Sequence, residues 1–208
     1  MQSFTTVTSP AAPLMLANVD TITIAPFDRL AKVQTAEERA AGTGVGKVLY
    51  YQWRFNEDGS EKPDFLLNQA PFRDAQIIIS GINFGCGSAR EIAASGHVEF
   101  GVTCIIAPSY SEIFYNNCFQ NGLLPVILEE TAVNRLAGEA AGGEAFTVDL
   151  QSKTIRTPAG EEVSFNIPEF RRQQLLQGIT EVLQTLEMAD QIKAFQDRDQ
   201  KVRPWIYL

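Results

Sequence analysis

The chain has 208 residues, 45% of them hydrophobic and 20% charged, with 25 acidic against 17 basic residues and a net charge of −8. That length supports one large domain with a sizeable core. The acidic balance and the lack of a basic stripe argue against a nucleic-acid partner, and the apolar runs fall far short of the ~20 residues of a membrane span.

Met1 to Pro13 lacks the charged and apolar regions of a secretory signal, so a cytoplasmic protein is expected. Leu14 to Ala17 is a short apolar run, and Thr21 to Ala25 alternates β-branched residues as a strand does, with Pro26 ending it. Residues 34–46 (QTAEERAAGTGVG) are polar, then glycine-rich, and predict a long loop with room for one helical turn over Ala36–Ala41. This loop is expected to be mobile until a partner orders it. Val48 to Phe55 is rich in aromatics, and residues 56–63 (NEDGSEKP) form a turn-rich surface segment.

The middle of the chain is the most legible. Ala75 to Ser80 predicts a buried strand, followed by a helix from Ser88 to about Phe100 and a second buried strand over Val102 to Ala107. Ser109 is placed to cap a further helix through Asn121, and Leu124 to Leu128 predicts a third strand. Short, almost continuously apolar strands alternating with helices point to a parallel sheet in an α/β protein. Thr131 to Ala141 then reads as a helix stopped by Gly142-Gly143, and Phe146 to Leu150 and Val163 to Ile167 as paired strands around Lys153–Glu162, which carries a Pro-Ala-Gly turn. Pro168 suits the first position of a helix ending at Gly178. Thr180 caps a last helix whose apolar face includes Val182, Leu186, Ala189 and Ile192, so residues 168–198 form a C-terminal helical segment. No repeat, linker or composition break divides the chain, and residues 1–208 are expected to be one domain.

Cys86, Cys104 and Cys118 include no Cys-x-x-Cys pair, and His97 is the only histidine. Neither a zinc site nor a self-contained iron–sulfur site can be assembled from that set. Cys104 and Cys118 read as core, the stripe Phe114, Tyr115 and Phe119 as core or subunit interface, and Trp53 and Trp205 as packing residues.

Residues 83–91 read Asn-Phe-Gly-Cys-Gly-Ser-Ala-Arg-Glu. Gly85 and Gly87 permit positive φ and close approach of a ligand to the backbone. Ser88 followed three residues later by Glu91 matches a capping box. A helix starting there offers unpaired N–H groups to an anion, and Arg90 adds a bidentate carboxylate clamp. The plainer reading is that Ser88 is an N-cap and nothing more, worth ~1 kcal/mol, with Arg90 an ordinary exposed helix residue.

The run NFGCGSAREIAASGHVEFGVTCIIAPSYSEIFYNNCFQNGLLPVIL, Asn83 to Leu128, resembles the core of isopropylmalate dehydratase small subunits, which are similar to the mobile fourth domain of aconitase. Asn18-Val19-Asp20-Thr21, Tyr51-Gln52-Trp53-Arg54-Phe55, and Phe170-Arg171-Arg172 with Gly178 carry the resemblance along nearly the whole chain. The resemblance implies a swivelling β/β/α domain with flanking helices, active only with a large subunit that holds a [4Fe–4S] cluster through its own cysteines. It also implies a small dicarboxylate substrate and a dehydration–rehydration that moves a hydroxyl between adjacent carbons. In this reading Ser88 is the catalytic base, and Arg90 binds a substrate carboxylate beside Gly87 and Ala89.

Three departures accompany the resemblance. Ala89 and Ile92 stand where the pattern Gly-Ser-Ser-Arg-Glu-His has its second serine and its histidine, and Ile22 stands where a second aspartate is expected. The arginine that usually follows the Ile-Pro segment is also displaced, and Arg29, Lys32 and Arg39 are each candidates to replace it. These changes leave open a related diacid of the citraconate or dimethylmaleate type. From another class, a non-catalytic carboxylate- or RNA-binding module remains an alternative.

Overall fold

The computed structural model describes residues 1–207. Seven strands form one sheet in the order β4-β3-β2-β1-β5-β6-β7. β1 (Thr6–Leu14), β2 (Ile77–Ser80), β3 (Cys104–Ala107) and β4 (Leu124–Ile127) are mutually parallel. β5 (Ala145–Asp149), β6 (Thr154–Arg156) and β7 (Glu162–Ser164) extend the other side of β1 as an antiparallel meander. The expected pair of strands after residue 145 is therefore three: β6 lies between the two that were foreseen, and these do not touch each other.

β1 itself has no strand signature, because Pro10 and Pro13 fall inside it. The register explains why they are tolerated. Thr6 to Pro10 pair with β5, while Ala11 to Leu14 pair with β2 on the opposite side, so each proline lies where one flank of the strand has no ladder to break.

β2, β3 and β4 are almost wholly buried on both faces, which is why they read as nearly continuous apolar runs. Ala12, Ile78 and Ile105 pack on one side against Ala93 and Ala94 of α5 (Glu91–Phe100). Ala11, Ile77, Ile79 and Ile106 pack on the other side with Val133 and Leu136 of α7 (Glu130–Ala140) and Leu175 of α8 (Glu169–Gln177). α6 (Glu112–Asn121) contributes Phe114 to the first core and Phe119 to the second.

Thr21 to Ala25, expected as a strand, is instead the short helix α1 (Thr21–Ile24). The Asp20 carboxylate captures the N–H groups of Ile22 and Thr23, and that local cap outweighs β-branched propensity. Residues 34–46 are less irregular than expected. α2 (Phe27–Val33) is followed by α3 (Ala36–Ala41), which Thr35 and Glu38 close with a reciprocal capping box and Gly42 ends in the left-handed region. The C-terminal segment divides at Met188 into α9 (Glu181–Glu187) and α10 (Ala189–Val202). Its apolar face is left open among the described residues: Val182, Leu186 and Trp205 are 69%, 61% and 66% exposed, so Trp205 is not the packing residue expected. Trp53, in α4 (Tyr51–Arg54), does pack, its ring stacked on Tyr50 at 5.6 Å.

Candidate active site

β2 runs into the loop 83–90, and two neighbouring segments lace this loop in place. On one side Asn83 Nδ2 donates to Asn18 Oδ1 at 2.8 Å, the Gly85 N–H to the Val19 carbonyl, and the Thr21 N–H to the Cys86 carbonyl at 2.9 Å. On the other side Ser109 Oγ accepts from the Asn83 N–H, and Ser111 Oγ donates to the Gly85 carbonyl. Ser109 is therefore committed to the loop, and Ser111, not Ser109, caps α6 by accepting from the Phe114 N–H.

Phe84 and Gly85 are buried under this lacing, whereas Gly87, Ser88 and Ala89 are exposed at the apex. Gly85 has φ 71°, and a Cβ there would stand 2.2 Å from Phe114. Gly87 has φ 88° with its nearest neighbour, Asp20, at 3.5 Å, so only its backbone conformation demands glycine.

The expected capping box is absent. The Ser88 carbonyl accepts from Thr21 Oγ1 at 2.7 Å, and Arg90 is still extended at φ −129°, ψ 106°, so α5 begins at Glu91 with no side-chain cap. These tertiary hydrogen bonds keep the loop non-helical up to Glu91, three residues beyond Ser88. Ser88 is thus neither N-cap nor buried, and its hydroxyl has no hydrogen-bond partner among the described residues. Arg90, two residues on, is the N-cap of α5, at a helix terminus where the axial dipole also favours an anion.

The three basic candidates on the preceding segment are unlike one another. Arg39 is committed, its Nη2 donating to the Ala31 carbonyl at 3.0 Å. Lys32 is exposed. The Arg29 guanidinium lies over the Tyr51 ring at 5.3 Å, with its Nε buried and lacking a hydrogen-bond partner. Asp20 is held below the usual carboxylate range by hydrogen bonds from Thr23 and Ile22, which outweigh a desolvation effect in the opposite direction. Asp20 and Thr21 were visible in the sequence only as part of a family motif; nothing local marked them as the supports of the loop.

Among the described residues no group of three or more His, Cys, Asp and Glu side chains is placed to hold a metal. Cys104 and Cys118 are fully buried and burial pushes both thiols up, away from the thiolate form a metal requires. His97 is likewise internal. Its Nδ1–H donates to the Ala93 carbonyl at 2.6 Å and its Nε2 accepts from Tyr50. No helix is long and apolar enough to cross a membrane among the described residues.

A family model described as the aconitase C-terminal domain matches residues 1–131, which hold the parallel half of the sheet and the loop bearing Ser88; the chain is of that class. A model described as LeuD_N matches residues 135–169, and one for the C-terminal domain of the 3-isopropylmalate dehydratase small subunit matches residues 184–207. Proteins named 3-isopropylmalate dehydratase small subunit from Jannaschia sp. (strain CCS1) and Brucella canis are 44% and 42% identical, each over 99% of this chain and 100% of their own length. The chain belongs to the family of 3-isopropylmalate dehydratase small subunits. The fold is shared with a crystal structure of 3-isopropylmalate dehydratase from Methanocaldococcus jannaschii, with TM-score 0.62 at 21% identity over 90% of this chain and 99% of that one.

Proposed function

We propose that this chain is the small subunit of a 3-isopropylmalate dehydratase, a hydro-lyase of leucine biosynthesis in the cytoplasm that works only with a large subunit. The observation that carries the reading is the unpartnered, exposed Ser88 at the apex of a rigidly laced loop, two residues from Arg90. Ser88, as its alkoxide, takes the carbon-bound proton of the malate derivative, and the electron pair left behind forms the double bond of isopropylmaleate as the hydroxyl leaves the adjacent carbon as hydroxide; the proton now on Ser88 and that hydroxide together make up the water lost. Water then adds in the reverse sense with the carbons exchanged. Arg90 binds a substrate carboxylate through paired N–H donors. The [4Fe–4S] cluster of this reading is held by the large partner; among the described residues the side chains do not fit one.

The test is anaerobic coexpression with the large subunit and an assay of isopropylmaleate hydration by loss of ultraviolet absorbance. Ser88→Ala is expected to lower kcat by at least about a thousandfold, within the range of a lost general base, in a complex that still assembles. An assembled Ser88→Ala complex with near-normal turnover would overturn the role of Ser88.

Ala89 and Ile22, both exposed, motivate a second reading in which the substrate is a related diacid. Turnover of citraconate or dimethylmaleate in preference to isopropylmaleate would support it, and activity confined to isopropylmaleate would end it.

A further inference from the structure

We infer that Thr21 is a positioning residue that sets the direction of two backbone amides in the loop bearing Ser88, an inference that rests on the functional reading above. Thr21 is 2% exposed, yet both of its donors are spent on this loop: its N–H donates to the Cys86 carbonyl at 2.9 Å and its hydroxyl to the Ser88 carbonyl at 2.7 Å. In a trans peptide the carbonyl and the following N–H point in opposite directions. Because the Cys86 and Ser88 carbonyls both point inward at Thr21, the N–H groups of Gly87 and Ala89 both point outward, toward the exposed face of the loop. Neither has a backbone hydrogen-bond acceptor among the described residues. The left-handed φ of 88° at Gly87 lets the chain turn between these two clamped peptides.

Two outward-facing, unpaired amides beside an exposed serine make a small anion nest of the kind that stabilises a developing oxyanion. Thr21 does not touch the substrate. It acts by holding two carbonyls, and so by holding the amides on their far side in place before the substrate arrives. Asp20 supports it by fixing α1 through the N–H groups of Ile22 and Thr23 and through the Thr23 hydroxyl.

Thr21→Val removes the hydroxyl at nearly constant shape, and Thr21→Ser retains it. In the assembled complex Thr21→Val is expected to lower kcat by about 10- to 100-fold, somewhat less than deletion of an oxyanion donor, with KM changed less than about threefold. The rising limb of kcat against pH should move to higher pH, since an alkoxide with poorer amide support forms less readily. Thr21→Ser should recover most of the lost rate. A second readout needs no partner and no turnover: in the isolated 15N-labelled chain, malonate should shift the amide resonances of Gly87 and Ala89 in wild type and Thr21→Ser but not in Thr21→Val. Amides that ignore malonate in wild type, or a Thr21→Val chain that responds and turns over like wild type, would overturn the inference. Full activity of Ser88→Ala would instead defeat the functional reading, with the malonate experiment still deciding the role of Thr21.

Discussion

The Tyr50 hydroxyl donates to His97 Nε2 at 2.8 Å inside a core that leaves neither side chain any exposed surface. Because His97 Nδ1 faces the Ala93 carbonyl, the proton is on Nδ1 and the ring is neutral, with Nε2 free to accept. Tyr50 stands at φ 52° and its N–H donates to the Ile24 carbonyl, so this hydrogen bond ties the segment after α1 to α5, the helix that starts beside Arg90.

Burial lowers the His97 pKa from 6.5 to about 4. A depressed histidine pKa means that the unfolded chain binds the proton more tightly. Stability should therefore be level above pH 6.5, fall as pH drops from 6.5 toward 4, and lose nothing further from this group below that. The loss amounts to about 3 kcal/mol. Urea denaturation at about pH 7 and about pH 4.5, either side of most of this fall, checks it. His97→Gln should be less stable than wild type at neutral pH and show a flatter dependence over this interval.

Gly85 and Gly87 both have positive φ but should respond differently to alanine. At Gly85 a methyl group would collide with Phe114, so Gly85→Ala should cost more than about 2 kcal/mol through overpacking on top of backbone strain. At Gly87 a methyl group would make only ordinary contact with Asp20 and Thr21, and the expected cost is about 1 kcal/mol from the left-handed backbone alone. Thermal melting of the two variants tests the difference. Equal losses would mean that Phe114 can move aside.

Arg29 and Arg39 should separate in kinetics. Arg39→Ala removes a hydrogen bond to the end of α2 and is expected to cost about 0.5–1 kcal/mol of stability while leaving KM alone. Arg29→Ala is expected to raise KM about tenfold, equivalent to ~1.4 kcal/mol of lost substrate binding, because Arg29 alone of the two has a buried donor with no hydrogen-bond acceptor among the described residues, its nearest carboxylate being Asp28 at 3.8 Å. The reverse pattern would assign the carboxylate contact to Arg39.

Residues 181–207 include no buried side chain, and the joint to the body is an ion pair between Arg171 and the exposed Glu181. Deleting the chain after Gly178 should leave the fold intact and shift Tm by less than about 4 °C. Circular dichroism melting is the check. A large loss of Tm would show that α9 and α10 stabilise the body after all.

The sequence by itself determined the parallel half of the sheet. β2, β3 and β4 are buried on both faces over nearly their whole length, and strands so placed are apolar at almost every position, Ser80 excepted, a pattern that survives without knowledge of their neighbours. It also determined the family, through Asn83 to Leu128, and the helix stops at Gly122 and Gly178, where the left-handed caps are local features. Tertiary structure decided the rest. β1 is a strand only because its two halves pair with different partners, which spares the ladders from Pro10 and Pro13. Ser88 looked like a helix cap because the Ser-x-x-Glu spacing is a purely local signal. It is a loop apex because Thr21, 67 residues earlier, binds its carbonyl. Ser109 lost its expected cap to Ser111 for the same reason, its hydroxyl being claimed by Asn83. Local hydrogen-bonding patterns state what a side chain can accept, and only the folded chain decides which of the competing donors reaches it first.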